Sequence, residues 1–388
     1  MSLGFSVSRP VIARQIGVFS DKQWKISRQP AGRRYNDPED DLMKIHPERT
    51  FCCSLLGLSA LVLACVLAGA HERKRGSIGY IDKTGQLLLT SKTLHEASSF
   101  SGGFARVRLH EKKEYKYGYL DRKGKLAIGA QFDWARNFSE GLAWVESPAG
   151  QGYIDGSGKL AIRGEYKAGG DFSGGLAAVQ AGKGFGYIDP GGKLVIPARY
   201  SSAGKFSEGF AAVGSGEKIG YIDRKGKLVI PARFDKAYEF RQGRARVILA
   251  GRIAFIDEKG KLAIGPLSSV GRAFDFSHGR ARIRVGTRWG FIDRNGREVV
   301  PPRYFAAYDF CEGVASVQDE KGWSMIGPDG KTVLRMGRDW LMTFSGGLAP
   351  VIRNRKVGYV DRSGKVVIAP RFLRAFGFSE GFASVELE

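Results

Sequence analysis

Cysteine is scarce, and most of it sits in one place. Of 4 Cys in 388 residues, Cys52, Cys53 and Cys65 share one apolar stretch, and Cys311 stands alone. A single thiol builds no disulfide framework, and no Cys/His group has metal-ligand spacing. Histidine is equally thin, with His46, His71, His95, His110 and His278 scattered. Acidic residues are outnumbered, 39 Asp+Glu against 61 Lys+Arg, leaving a formal net charge of +22. Proline is not enriched and glycine does not recur every third residue, which excludes collagen. Hydrophobic content of 43% excludes wholesale disorder. Zinc motifs and serine elbows are missing. Glycine-rich stretches such as Gly182 to Gly186 join strand-like runs and open no helix, so they are not phosphate loops.

Long apolar runs are also missing, with one exception. Phe51 to Ala70 is nearly unbroken and, at about 20 residues, long enough to cross a bilayer as a helix. From Met43 a short basic segment precedes it, and Ala68-Gly69-Ala70 closes it before the polar His71-Glu72-Arg73-Lys74-Arg75. This is the anatomy of a signal peptide with cleavage after Ala70. Leu61 to Cys65 also resembles a lipobox, which makes Cys65 a candidate lipid-attachment site, and the length of the run keeps an uncleaved anchor open. Residues 43–70 are thus expected to export or tether the chain, placing it in the cell envelope, periplasmic, membrane-anchored or secreted. Residues 1–42 carry no repeat signature and are expected to be a disordered leader or an over-extended start.

What is abundant is glycine, 54 residues or close to twice the usual ~7%. Its source is a repeat. G-Y-I-D appears at Gly79, Gly118, Gly152, Gly186 and Gly220, with altered copies at Ala254, Gly290, Gly322 and Gly358. A second block, F-S-x-G-hydrophobic-A-x-V, follows each anchor, as in Phe206 to Val213. Between them lie a D-x-x-G turn and K-L-V-I-P, then an aromatic-rich connection. Short β-branched and aromatic runs separated by glycine-bearing turns are hairpin signals. The expected fold is all-β over residues 77–388, built of about nine repeats of ~34 residues with three strands each. An open twisted array is favoured, because nine units exceed the usual four to eight propeller blades and ~34 residues are few for four strands. A closed ring is the alternative, made by pairing Gly381 to Leu387 with Ser77 to Ile81.

These copies resemble the bacterial WG-repeat (WG-containing, or KWG) family. Trp289-Gly290-Phe291-Ile292-Asp293 shows the literal Trp-Gly. Ala254 in place of the anchor glycine and Gly327 in place of the turn Asp depart from the pattern. The resemblance implies non-catalytic β-repeat modules, often in the envelope or secreted, and no cofactor.

The Asp column (Asp82, Asp121, Asp155, Asp189, Asp223, Asp257, Asp293, Asp361) reads as turn caps. Calcium loops need several oxygen ligands, whereas these turns set Lys or Arg beside the Asp. His278 and Cys311 replace other residues inside the F-S-x-G block; a Cys/His pair is conceivable, and drift at a turn position is the simpler account. The strongest functional feature is basic. Residues 1–70 hold 9 Lys/Arg against 6 Asp/Glu, so +19 of the +22 belongs to the rest of the chain. The residue after the turn glycine is Lys125, Lys159, Lys193, Lys227, Lys261, Arg297, Lys331 or Lys365 in eight of nine units. Aligned by the repeat, these cations form a candidate polyanion stripe. Arg106, Arg108, Arg244, Arg246, Arg280, Arg282 and Arg284 are expected to add charge around the A-x-V strands. The function expected is an exported or membrane-tethered, non-catalytic binding scaffold for a protein or an anionic envelope polymer, with membrane association through 51–70. An enzyme acting on envelope carbohydrate is the alternative, and nucleic acid is the least expected partner.

Overall fold

The computed structural model describes residues 76–111, 114–163 and 165–388. The leader, the signal or anchor segment, Cys65 and Ala70 lie outside the described residues. No helix among the described residues is long and apolar enough to cross a membrane. The described elements are all strands.

One repeat shows how each sheet is made. Strands Ala168–Gly169, Ala177–Ala181, Gly184–Ile188 and Leu194–Tyr200 pair antiparallel in that order. The A-x-V run is the second strand, G-Y-I-D the third and K-L-V-I-P the fourth. The first strand comes from the aromatic-rich connection, so the unit has four strands where the sequence predicts three. Only two residues pair in it, too few for alternation to be legible. The third strand shows no alternation for a different reason. Tyr187 and Ile188 are both fully buried, because the sheet is covered on both faces. Tyr187 packs with Phe206, Val213 and Ile222 of the following blade, and Ile188 with Trp144 and Tyr153 of the preceding one and with Phe172 of its own first turn. Each such side chain contributes roughly 1.5–3 kcal/mol by leaving water. The anchor glycine serves close approach: a Cβ on Gly186 would sit 2.4 Å from the Ile196 carbonyl oxygen, where the ladder bulges.

The described residues form nine such sheets, one of them three-stranded with a lone Ala203–Val213 bridge in place of its first strand. Nine hydrophobic clusters fill the spaces between neighbouring sheets. The favoured open array is not what forms. Strand Phe382–Glu386 pairs antiparallel with Ile78–Asp82 over five residues, and Arg374–Ala375 and Leu87–Ser91 complete that sheet. The two ends therefore share one sheet, and the nine blades close into a propeller ring. An open array would leave the half-unit at each end with bare N–H and C=O groups along its edge; closure pairs one half with the other. The blades fit into ~34 residues because their first strand is so short.

The seams repeat as faithfully as the strands. In F-S-x-G, the hydroxyls of Ser101, Ser139, Ser173, Ser207, Ser277 and Ser345 donate to the Phe carbonyl of the next copy. Ser379 makes the same bond to the Phe100 carbonyl at 2.7 Å, across the closure. The following residue bridges too: the Glu208 carboxylate accepts from the N–H groups of Gln242 and Gly243, and Glu140 from Gly174 and Gly175.

Candidate functional site: a basic edge of the ring

In an antiparallel four-strand meander the first and third turns lie at the same end of the sheet. The F-S-x-G and D-x-x-G turns therefore share one end of every blade. In D-x-x-G, the Asp Oδ1 accepts the N–H two and four residues ahead, as Asp223 does from Lys225 and Lys227, both at 2.9 Å. The other seven Asp residues of the column do the same. These bonds have an electrostatic signature. The Ser157 hydroxyl holds the Asp155 carboxyl below the usual carboxylate range, the Ser363 hydroxyl does so for Asp361, and the Arg297 N–H for Asp293. Where Gly327 replaces the Asp, Asp329 accepts from the Lys331 N–H at 3.0 Å instead.

With its N–H turned inward to the Asp, the residue after the turn glycine sends its side chain out. All eight predicted stripe residues are exposed. Among the described residues only Lys331 of the eight joins an ion pair, with Asp329 at 3.5 Å. Each turn glycine lies against the fourth strand of the preceding sheet, Gly226 on Ile196 and Gly260 on Ile230, and Gly85 on Ile368 across the closure. Clefts are seen at two of these junctions. One, of about 490 Å³, has Ile230, Pro231 and Arg233 facing Lys259, Gly260, Lys261 and Leu262. A second, of about 430 Å³, repeats it with Val300, Pro301 and Arg303 facing Asp329, Gly330, Lys331 and Thr332.

The arginine in these clefts was missed in the sequence reading. Arg199, Arg233, Arg303 and Arg371 donate to the carbonyls of Gly226, Gly260, Gly330 and Gly85, the turn glycines of the next sheet. Each also lies 5.0–5.3 Å over the aromatic ring that follows it. The arginine's signal in the sequence is an Arg-aromatic pair three residues after the end of K-L-V-I, with Pro one or two residues before the Arg.

Other arginines turn out to be internal. Arg282, 2% exposed, bonds Asp309 at 3.0 Å, donates to the Ala307 carbonyl and lies over the rings of Phe274 and Trp289. Arg106 donates to the Ala135 carbonyl, and Arg246 bonds Asp275 at 3.0 Å. Arg244 and Arg280 reach the carbonyls of Arg294 and Pro328 in the following D-x-x-G turns. The sequence had expected all of these to add to a surface charge. The x position of A-x-V, held by Arg106, Arg246 and Arg282, points into a seam, and Arg244 and Arg280, one residue before the Ala, reach across to the next turn from a half-buried position.

Near the first strands, ion pairs link successive units: Arg136–Asp171, Lys205–Glu239, Arg241–Asp275 and Arg282–Asp309. On the D-x-x-G edge Arg122 pairs with Glu380 and Arg362 with Glu312, while seven of the eight stripe cations form no ion pair among the described residues. The His278 and Cys311 positions belong to the seams as well. His278 Nε2 accepts from the Glu312 N–H at 3.2 Å, and its Nδ1 lies 3.1 Å from the Phe310 carbonyl oxygen. The imidazole thus grips the backbone on either side of buried Cys311.

The WG containing repeat model matches residues 78–112, 117–147, 152–183, 185–218, 219–252, 289–323 and 358–388, more than half of the chain. The chain belongs to the WG-repeat family. The stretches of the WG-repeat ring left unmatched hold Ala254 to Asp257 and Gly327, the two departures from the pattern, yet both build sheets of the same form. No curated protein matches the chain. Among solved structures, dihydro-heme d1 dehydrogenase NirN in complex with DHE is 15% identical at TM-score 0.37, covering 77% of this chain and 75% of that one. Hsv2 from Kluyvelomyces marxianus is 13% identical at TM-score 0.30, covering 48% and 73%. The extracellular domain of BT4673 from B. thetaiotaomicron is 11% identical at TM-score 0.30, covering 80% and 56%. At these identities and TM-scores the likenesses license no statement of activity.

Proposed function

We propose that this WG-repeat ring is a non-catalytic scaffold that binds an anionic polymer along its D-x-x-G edge. The observation that carries the reading is a row of exposed cations held at the repeat spacing. Seven of the eight stripe cations form no ion pair among the described residues, the Asp carboxylates of the same turns are engaged by backbone N–H groups, and the acid–base pairs of that edge fall to other arginines, Arg122 with Glu380 and Arg362 with Glu312. Like-signed groups repeated at a fixed spacing sum to a potential that a point ligand uses poorly and a polymer uses fully. The carboxylates that would have suggested hydrolysis are engaged in their own turns. The apolar run 51–70 with Ala68-Gly69-Ala70 supports placing the polymer in the cell envelope.

The test is a salt series. Full-length protein is titrated with polyglycerol phosphate at roughly 0.05 M and 0.5 M salt, a range over which the screening length falls from above ~10 Å to a few ångströms. Affinity should drop at least tenfold across it. Salt-independent binding, or none at the lower salt, would overturn the proposal.

A further inference from the structure

The junctions of the basic edge are built alike and are unequal in charge, and the inequality points to one place. The cleft between Ile230 and Leu262 holds three cations, Arg233, Lys259 and Lys261. The preceding junction carries the same three cations, with Arg199 donating to the Gly226 carbonyl at 3.1 Å between Lys225 and Lys227. Other junctions lose part of this set. Asp329 stands where Lys259 would, and at the closing junction Thr84 and Gln86 replace both lysines. Gly191 replaces one lysine beside Lys193, and Pro266-Leu267 stands where the Arg of the Arg-aromatic pair would before Arg297. The two full cation sets adjoin, because the sheet containing strand Leu228–Phe234 supplies Lys225 and Lys227 to one and Arg233 to the other.

Resting on the polyanion reading above, we infer that these twin clefts are the primary seat of the polymer. Each takes one anionic group, and the ligand is a glycopolymer bearing phosphodiester or carboxylate groups along its backbone. The walls argue for that class. Beside the cations they present aliphatic surface, Pro231 with Leu262, and Leu228 and Leu262 are each 44% exposed. The nearby rings of Tyr200 and Phe234 are buried and lie beneath the arginines. A nucleic-acid strand would want an open ring to stack its bases on, and the cleft lining offers none. Aliphatic walls between fixed cations suit the C–H faces of a polyol or sugar backbone. Arginine gives each cleft a planar fork held by the neighbouring sheet, while the lysines supply mobile point charges.

The experiment compares two full-length variants of equal charge change. One is Arg199→Gln, Lys227→Gln, Arg233→Gln and Lys261→Gln; the other is Lys125→Gln, Lys159→Gln, Lys331→Gln and Lys365→Gln. The probes are polyglycerol phosphate and polygalacturonate, whose ratio separates phosphate from carboxylate preference, with single-stranded DNA as a third arm. The twin-cleft variant should lose tenfold or more in affinity for one of the first two, and the control threefold or less. Equal losses would overturn the twin seat and leave the basic edge standing. Failure of the unaltered protein to bind either polymer would overturn both. Tighter DNA binding, lost in the twin-cleft variant, would overturn the glycopolymer assignment. If thermal melting shows the fourfold variant unstable, Lys227→Gln with Lys261→Gln, which touches no seam bond, should still lose more than Lys125→Gln with Lys159→Gln, and parity there overturns the seat.

Discussion

The middle residue of A-x-V decides how two sheets meet. Arg282 sits there with Asp309, and both are nearly or largely buried. Arg282→Met would strand the carboxylate and is expected to cost about 3 kcal/mol, with Arg282→Met/Asp309→Leu recovering most of it; chemical denaturation of both variants checks this. Ser207→Ala removes the bond to the Phe240 carbonyl and should cost about 1 kcal/mol by the same measurement. The buried anchor tyrosines bring a pH dependence. Burial pushes the hydroxyls of Tyr80, Tyr153, Tyr187, Tyr221 and Tyr359 well above the ordinary range. Each is held in its neutral form, donating to a backbone carbonyl. Raised folded values give stability that is complete below about pH 10 and lost above it. The phenolate absorbance lost on replacing one of these five by Phe should therefore belong to the part of the rise that accompanies loss of the fold, rather than to the part before it. At this scale the Asp column was legible, because a D-x-x-G turn states its own chemistry. Arg106 and Arg282 were not: sequence cannot show whether an alternating side chain meets solvent or another sheet.

At the scale of the strand, the third and fourth strands of each blade approach closely, and glycine is what permits it. In the one unit whose anchor is Ala254, the fourth strand carries Gly265, whose φ is +87°. A Cβ on Gly265 would sit 2.9 Å from the Leu267 nitrogen and 3.1 Å from the Ile253 oxygen. The glycine has moved across the ladder. Gly265→Ala is therefore expected to destabilise the ring more than Gly209→Ala, since a Cβ on Gly209 meets nothing although its φ is also positive; thermal melting of the pair decides. The strands that carry apolar repeats were all readable. The first strand was hidden because only two residues pair in most blades, and the Arg-aromatic pair was hidden with it, at the far end of the fourth strand.

For the molecule as a whole, closure and charge are linked. The repeat starts on a third strand and ends on a second, so the ends need one another; this placement was legible. The count of nine and the short repeat length argue for an open array, and the pairing of Phe382–Glu386 with Ile78–Asp82 overrides both. Closure turns a stripe into a continuous edge, with Arg371 donating to the Gly85 carbonyl and Ser379 to the Phe100 carbonyl across the join. Removing residues 378–388 should lower the melting temperature more than any single seam substitution, because it strips two strands' worth of partners from Ile78–Asp82 and Arg374–Ala375. The seams and turns that repeat are structural, and the proposed partner meets the exposed cations and the aliphatic side chains between them, such as Leu228 and Leu262. The binding isotherm of the full-length protein for polyglycerol phosphate at two salt concentrations tests that reading most directly. Strong binding at low salt that weakens at least tenfold at high salt is the predicted result. Binding indifferent to salt, or absent at both concentrations, would contradict it.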